Sequence, residues 1–384
     1  MAGASAALAI VVSMAAAVAL APAKPVSRPR RPAATGVVRF SRNVYRYTSA
    51  LSLAAEARRY SVLVLQAPDG RLVRALHRYN PHLLVLMYQF VMYARADDPD
   101  GLELCTSLAA ARANNWLLRG VRGQLITEGP AYGVDVGIPA FQRSCAEHAL
   151  ALAKRYGFNG VFLDGVGAKP EYQFGPIEVP KYRSAASWMA AMTSFLETAS
   201  AIIHGGRLKV IANIGGPQEW VRWSSLLDGA EEESWSDGSL GLAQQVPFWG
   251  LKLRNVAWSE AHRKYALLHS YNPGEAANVY GLASMLLVAG GYSGYATSNV
   301  NSLGDERWFP EYGTAERLGR PRGHYVRLRG GLYERKFAHG LVLVNPTLHA
   351  IGGVRLHGTY SGSGRSRVRA LALGPTSGLI VLYD

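Results

Sequence analysis

The sequence predicts an α/β protein, a (β/α)8 TIM barrel followed by a small C-terminal antiparallel β-sandwich. Between residues 37 and 305, short apolar runs alternate with helical patterns, which is typical of repeated βα units. Eight such units over about 260 residues match the usual size of this barrel. From 306 to 384 the helical patterns stop. Short apolar runs separated by Gly, Pro, Ser and Asn then predict an antiparallel sandwich.

The strands and helices can be placed in order along the chain. Barrel strands are predicted at 37–40, 61–66, 83–88, 161–164, 208–213, 228–235, 265–270 and 292–296. Helices are predicted at 50–59, 139–156, 184–204 and 276–289, and a long insertion separates the third strand from the second of these helices. The sandwich strands are predicted at 325–328, 332–337, 341–344, 354–356, 368–373 and 379–383.

Two segments precede the predicted barrel. Residues 1–23 contain an apolar run followed by small residues, which predicts a secretory signal peptide. The run has no Lys or Arg before it, so an uncleaved N-terminal membrane anchor stays open. Residues 24–36 are rich in Pro and Arg and predict a disordered linker. The protein is therefore expected to be secreted or extracytoplasmic.

The net charge bears on the possible binding partners, and the cysteine content bears on disulfide formation. The net charge is +14, but the arginines are scattered and lack the aromatic platforms of a nucleic-acid site, so no nucleic acid is expected. Anionic glycans or the cell envelope are candidate partners. Cys105 and Cys145 are the only cysteines, and in an exported chain they predict one disulfide.

Two acidic strand ends suggest the chemistry. Asp164 ends a buried apolar strand with glycine beyond it, and Glu231, Glu232 and Glu233 end another. Glycoside hydrolysis uses such a pair, one carboxylic acid to protonate the leaving oxygen and one ionised carboxylate. Asp164 fits the ionised role, with barrel arginines as expected partners, and Glu233 is preferred as the acid. Glu231 and Glu232 remain alternatives for the acid.

Further polar residues near predicted strand ends are candidates for holding a sugar. They are Gln66, Tyr88, Asn213, Glu231, Trp235, His269 and Tyr271, with Trp249 and Trp258 as additional stacking faces. The sequence has no zinc-spaced histidines, no Walker loop and no GxSxG elbow. No metal and no cofactor are therefore expected.

The run 157–164, Gly-Phe-Asn-Gly-Val-Phe-Leu-Asp, resembles the "GFDGVFLD" strand of secreted (β/α)8 glycosidases. These include the endo-α-1,4-polygalactosaminidases and related hypothetical glycosyl hydrolase families. Asp228-Gly229 with Glu233-Ser234 resembles their acid strand, and the segments 318–321, 333–337 and 340–346 resemble their barrel-to-sandwich region. The chain departs from them at Asn159, where aspartate is usual, and at 165–167.

The resemblance implies a secreted glycoside hydrolase acting on a polysaccharide. It implies that Asp164 is the nucleophile or base and Glu233 the general acid. With Asp164 on the fourth strand and Glu233 on the sixth, their backbones are expected on the order of 10 Å apart. The alternative is a non-catalytic carbohydrate-binding surface protein on the same scaffold, because fold does not fix function. The sequence does not predict an oligomeric state.

Overall fold

The computed structural model describes residues 38–44, 51–170, 174, 178–236, 242–271, 274–298, 308–362 and 365–384. The predicted signal peptide and linker lie outside these residues. Within them, no helix has the length and apolar character needed to cross a membrane.

The barrel and the insertion after its third strand contain the first eleven strands. In chain order these are β1 (Ser41–Val44), β2 (Val62–Leu65), β3 (Leu84–Phe90), β4 (Tyr93–Ala94), β5 (Thr127–Glu128), β6 (Ala131–Gly133), β7 (Gly160–Gly167), β8 (Lys209–Gly215), β9 (Gly229–Glu232), β10 (Tyr265–Tyr271) and β11 (Ser293–Ser298). Eight of them form one parallel sheet in the order β1-β2-β3-β7-β8-β9-β10-β11. A parallel bridge between Phe40 and Tyr295 joins its two edges, which confirms the predicted barrel.

Helices cover the outside of the barrel, as right-handed βα crossovers require. The helices of the described residues are α1 (Leu53–Arg59), α2 (Val73–Tyr79), α3 (Leu108–Ala113), which lies in the insertion, α4 (Pro139–Tyr156), α5 (Ala185–Gly205), α6 (Trp220–Ser224), α7 (Leu242–Ala261), α8 (Glu275–Leu286) and α9 (Pro310–Glu316). Helix α4 ends at Gly157, whose φ of 78° allows the left-handed turn into β7. Because each of the long helices runs back from the carboxyl end of a strand, the loops at that end form the barrel mouth.

The first strand lies four residues later than predicted. The apolar run 37–40 suggested a strand, but β1 begins at Ser41 and contains the charged Arg42. Arg42 is buried and forms an ion pair with the buried Glu56 of α1, so the polar residue is accommodated behind the sheet. Phe40 instead packs against Trp308 and Tyr312.

The insertion after β3 forms a small antiparallel sheet in the order β4-β6-β5. The predicted disulfide is confirmed, since Cys105 in this insertion is bonded to Cys145 of α4. Closing a loop of this size stabilises the fold by roughly 4 kcal/mol on the chain-entropy model. The disulfide therefore fastens a mouth loop to the barrel wall.

The C-terminal part of the chain forms a second, antiparallel sheet, as predicted. Its strands are β12 (Val326–Arg327), β13 (Tyr333–Lys336), β14 (Gly340–Asn345), β15 (Ile351–Gly362), β16 (Arg365–Leu373) and β17 (Ser377–Tyr383), in the order β12-β13-β14-β17-β15-β16. Arg335 joins this sheet to the barrel by donating to the carbonyls of Leu286 and Ala289 at the end of α8.

Candidate active site

Asp164 lies near the carboxyl end of β7, and three neutral donors hold its carboxylate. The Tyr88 hydroxyl donates to Oδ2 at 2.6 Å, and the Gly165 amide donates to Oδ1 at 2.8 Å. Asn213 Nδ2 donates to the same Oδ1 at 3.0 Å. These groups take the place of the arginines expected from the sequence. Hydrogen bonds of this kind favour the ionised carboxylate.

Glu233 follows the last residue of β9, two strands from Asp164 with β8 between them. Its Oε1 accepts a hydrogen bond from the Tyr271 hydroxyl, and its Oε2 accepts one from Asn213 Nδ2 at 2.8 Å. Both carboxylates remain partly exposed. Both groups are therefore held in place and yet accessible to a substrate.

Asn213 fixes the spacing of the two carboxylates. Its Nδ2 lies 3.0 Å from Asp164 Oδ1 and 2.8 Å from Glu233 Oε2. Since one nitrogen contacts both oxygens, these oxygens are less than about 6 Å apart. Retaining glycosidases hold their carboxyl groups about 5–5.5 Å apart, whereas inverting enzymes need about 6.5–9.5 Å.

Strand alternation separates the three consecutive glutamates. Glu232 points outward, where its Oε1 lies 3.0 Å from Lys252 Nζ of α7. Glu231 points inward and is buried, with Oε1 3.8 Å from His269 Nδ1. Glu231 thus lies deeper in the barrel than Glu233, and Glu232 is excluded from the site.

Burial and charge shift two pKa values in the site. Burial, followed by the negative charge of Glu233, raises the pKa of Asp164 to about 6 despite the hydrogen bonds from Tyr88, Gly165 and Asn213. Burial also raises the pKa of Tyr271, and the nearby carboxylate charges raise it further. Tyr271 therefore stays a phenol and a hydrogen-bond donor to Glu233.

The polar residues predicted from the sequence are only partly brought together. Tyr88, Asn213 and Tyr271 contact the two carboxylates directly. His269 is 1% exposed, and its Nε2 lies 2.7 Å from Ser298 Oγ, so it forms the floor with Glu231.

Gln66 and the predicted stacking tryptophans form no hydrogen bond with the two carboxylates among the described residues. Both amide atoms of Gln66 are buried and have no hydrogen-bond partner among the described residues. Trp235 does not face the site, since it is buried and donates to the Gly281 carbonyl of α8 at 2.8 Å. Trp249 packs against Tyr333 of the C-terminal sheet, and Trp258 stacks on His262, the residue after the end of α7.

An apolar wall beside Asp164 was missed in the sequence. Phe90 pairs with Asp164 in the sheet and stacks on Tyr93 with 4.9 Å between ring centroids. Gly165 has a φ of 80°, and a Cβ there would lie 2.9 Å from the Phe90 ring. The sequence feature that could have predicted this wall is the glycine that follows Asp164. Only glycine combines a positive φ with so close an approach of the backbone to the Phe90 ring.

The described residues contain no cluster of three or more His, Cys, Asp or Glu side chains arranged to hold a metal ion. The chemistry that the described groups offer is that of two carboxylates supported by neutral donors.

A parallel eight-stranded barrel with paired carboxylates at the strand ends is typical of glycoside hydrolases. The sequence pattern of hypothetical glycosyl hydrolase family 15 matches residues 77–341, a range that includes both carboxylates. The chain therefore belongs to hypothetical glycosyl hydrolase family 15. No curated protein matches the sequence.

Solved structures of glycoside hydrolases share the fold. The maltogenic alpha-amylase AmyB of Thermotoga neapolitana aligns with a TM-score of 0.52 at 12% identity, over 90% of this chain and 98% of that enzyme. The cycloalternan-degrading enzyme of Trueperella pyogenes aligns at 0.50 and 11% identity, over 91% of this chain and 62% of its own. The glycoside hydrolase domain of PelA from Pseudomonas aeruginosa has 16% identity and a TM-score of 0.46, over 69% of this chain and 96% of its own.

Proposed function

We propose that this protein is an extracytoplasmic retaining glycoside hydrolase, with Asp164 as nucleophile and Glu233 as general acid and base. The observation that carries the proposal is the contact of Asn213 Nδ2 with both carboxylates. It holds one oxygen of each carboxylate within about 6 Å of the other, which favours the short spacing of a retaining enzyme over the wider spacing that admits a water molecule.

The assignment of the two roles follows from the surroundings of each group. Asp164 accepts three hydrogen bonds, from Tyr88, Gly165 and Asn213, and Glu233 accepts two. The negative charge of Glu233 raises the pKa of Asp164, so the two carboxylates are electrostatically coupled. When positive charge develops at the anomeric carbon beside Asp164, the ionised form of Asp164 is favoured and the proton stays on Glu233.

The reaction then has two steps. In the first, an Asp164 oxygen bonds to the anomeric carbon while Glu233 transfers its proton to the departing glycosidic oxygen. In the second, Glu233 accepts a proton from water, the water oxygen bonds to the anomeric carbon, and the Asp164 carboxylate is released. The sugar leaves with its original anomeric configuration because the carbon is inverted twice.

The charge around the pair supports a neutral or cationic sugar as substrate. Asp164 and Glu233 form no contact with a lysine or arginine among the described residues, and Glu231 adds a third carboxylate at the floor. A negatively charged sugar ring would meet repulsion from all three. This proposal differs from the anionic glycan that the net charge of the chain predicts.

The proposed location outside the cytoplasm rests on two observations. The N-terminal residues have the composition of a signal peptide, and Cys105 is bonded to Cys145. Disulfides of this kind persist mainly in oxidising compartments. Cleavage at the predicted site can be checked by mass spectrometry of the exported protein.

A hydrolysis screen tests the function. The purified protein is incubated with a panel of bacterial and plant polysaccharides, and released ends and product configuration are followed by NMR. We expect hydrolysis with retention for at least one polymer. Asp164→Asn and Glu233→Gln should each reduce the rate by at least about 100-fold, whereas Glu147→Gln, which changes an exposed glutamate of α4, should retain most activity.

Three results would contradict the proposal. Product formed with inverted configuration would assign Asp164 as a base. Unchanged hydrolysis in both Asp164→Asn and Glu233→Gln would remove the pair from the mechanism. Tight binding of a glycan without any turnover would identify a carbohydrate-binding protein on a barrel scaffold.

A further inference from the structure

The free edge of the C-terminal sheet is strongly basic. Residues 317–336 contain seven lysines and arginines against one acidic residue, Glu334. Arg320, Arg322, Arg327 and Arg329 are exposed. Glu334 lies 3.7 Å from Lys336, and no described carboxylate forms an ion pair with any of these four arginines. This edge therefore carries positive charge that the described part of the fold does not compensate.

Exposed apolar side chains are interleaved with this charge. Val326 and Leu328 are 51% and 37% exposed and alternate with Arg327 and Arg329 along the chain. Leu348, in the loop after β14, is 52% exposed. We refer to Val326, Arg327, Leu328, Arg329 and Leu348 as the edge patch.

The two parts of the edge patch are adjacent in space. A Cβ built on Gly331 would lie 3.5 Å from Thr347 Cγ2 and 3.9 Å from a guanidinium nitrogen of Arg327. A Cβ built on Gly330 would lie 3.4 Å from Ile351. The turn after β12 and the loop that carries Leu348 therefore contact each other.

Charge alone on this edge has a simpler explanation. Edge strands often carry charged side chains that prevent pairing with another chain. That explanation does not extend to three large apolar side chains exposed beside the arginines, because exposed apolar groups on an edge favour association. The combination is typical of surfaces that enter a lipid interface.

The edge patch lies towards the barrel mouth. Arg335 reaches the C-terminal end of α8, whereas a Cβ on Gly378, which pairs with Val344, would meet Val279 and Ala283 earlier in that helix. The last residues of β14 thus point towards the start of α8, which follows the carboxyl end of β10. The loop after β14 is on the same side as the active site.

We propose that the edge patch docks the mouth side of the enzyme onto an anionic lipid surface. Arg327 and Arg329 present planar guanidinium groups that match lipid phosphates. Val326, Leu328 and Leu348 enter the boundary between headgroups and acyl chains. A soluble polyanion would use the arginines but would have no use for the three apolar side chains.

Vesicle sedimentation with the full chain tests this docking. Binding is compared between vesicles of phosphatidylcholine alone and vesicles with 30% phosphatidylglycerol, at low and at raised salt. We expect stronger binding to the anionic vesicles and a marked loss at raised salt. Arg327→Gln with Arg329→Gln should weaken anionic-vesicle binding about 30-fold, given about 1 kcal/mol for each charge. Val326→Ser with Leu328→Ser should weaken it several-fold.

A control removes the same charge elsewhere. Arg143→Gln with Lys154→Gln changes two exposed cations of α4 and should reduce binding much less than the patch variant. Equal loss in both arginine and control variants would overturn the proposal in favour of net charge. Full binding by the Val326→Ser, Leu328→Ser variant, or binding to a soluble anionic polysaccharide but not to vesicles, would also overturn it.

Discussion

Lys252 Nζ lies 3.0 Å from Glu232 Oε1, and both side chains are about nine-tenths buried. Lys252 also donates to the Ser234 carbonyl. The lysine thus holds the central glutamate of the triplet outside the barrel. Because successive side chains of a strand point to opposite faces, Glu231 and Glu233 then point inward. Lys252 of α7 therefore helps to orient Glu233, the proposed acid.

Replacing Lys252 by Met should destabilise the protein and lower activity together. Removing one partner of a buried ion pair costs about 3–5 kcal/mol, because the remaining charge is left uncompensated. Denaturant unfolding measures this loss. Glu232→Gln combined with Lys252→Met should recover part of it, and the absence of any recovery would contradict a direct pairing.

The role of Glu233 can be separated from its structural contacts by the choice of leaving group. On a polysaccharide, Glu233→Gln should reduce kcat/KM by about 100- to 10,000-fold, because the departing oxygen receives no proton. On an aryl glycoside of the same sugar with an acidic phenol, the first step needs no acid and the loss should be much smaller. An equal loss on both substrates would argue against Glu233 as the acid.

The rate should depend on the ionisation of Asp164. Burial and the charge of Glu233 raise the pKa of Asp164 to about 6. A nucleophile must be ionised, so kcat/KM should fall about tenfold per pH unit below this value. A pH–rate profile of the purified protein measures it. A rate that stays constant down to about pH 4.5 would contradict this assignment.

The ionised side chain of Asp164 should also lower the free energy of unfolding at neutral pH. Its pKa is raised above the ordinary 3.8 to about 6, so the folded state binds the proton more tightly. The unfolding free energy then falls as the pH rises from about 4 to about 6, and the loss is complete above that window. Asp164→Asn should therefore be more stable than the natural chain at pH 7, by up to about 3 kcal/mol, and equal to it below pH 4.

Asp228 provides a control of opposite sign for that measurement. Burial alone would raise its pKa, but Lys209, the Val210 amide and His204 outweigh burial and lower it. Asp228→Asn should therefore lose stability at pH 7, and the loss should disappear in acid. Thermal unfolding of both variants across this pH range checks the two signs.

Gly165 and Gly157 form a matched pair for testing the apolar wall. Both have a φ near 80°, at 80° and 78°, so alanine is strained at either position. A Cβ at Gly165 would lie 2.9 Å from the Phe90 ring, whereas a Cβ at Gly157 would meet no atom within 4 Å. Both variants should lose about 1 kcal/mol of stability or more, but only Gly165→Ala should also lose most hydrolytic activity. Equal activity in the two variants would show that the position of the Phe90 ring does not affect hydrolysis.

The barrel and its two acidic strand ends could be predicted because the signals are local. An apolar run ending on Asp164 is visible in the sequence without knowledge of any distant residue. Strand alternation alone places Glu231 and Glu233 on one face and Glu232 on the other. The face that turns inward depends on Lys252, which lies in a helix whose internal Pro247 weakens the sequence pattern. Trp235 was misplaced because the same indole can stack on a sugar or donate to a buried carbonyl.

The triplet on β9 gives this enzyme an unusual response to a change in chain length. Deleting Ala230 would move each following residue to the opposite face of the sheet. Glu232 would take the inner position of Glu231, Glu233 would face Lys252, and Ser234 would stand where the proposed acid now lies. The strand would keep a carboxylate at the floor and an ion pair behind it, but Glu231 would take the fully buried position of Ala230, where an unpaired carboxylate costs stability. Hydrolytic activity would be lost because the proposed acid leaves the site, so the length of β9 sets both the chemistry of the mouth and the burial of charge behind it.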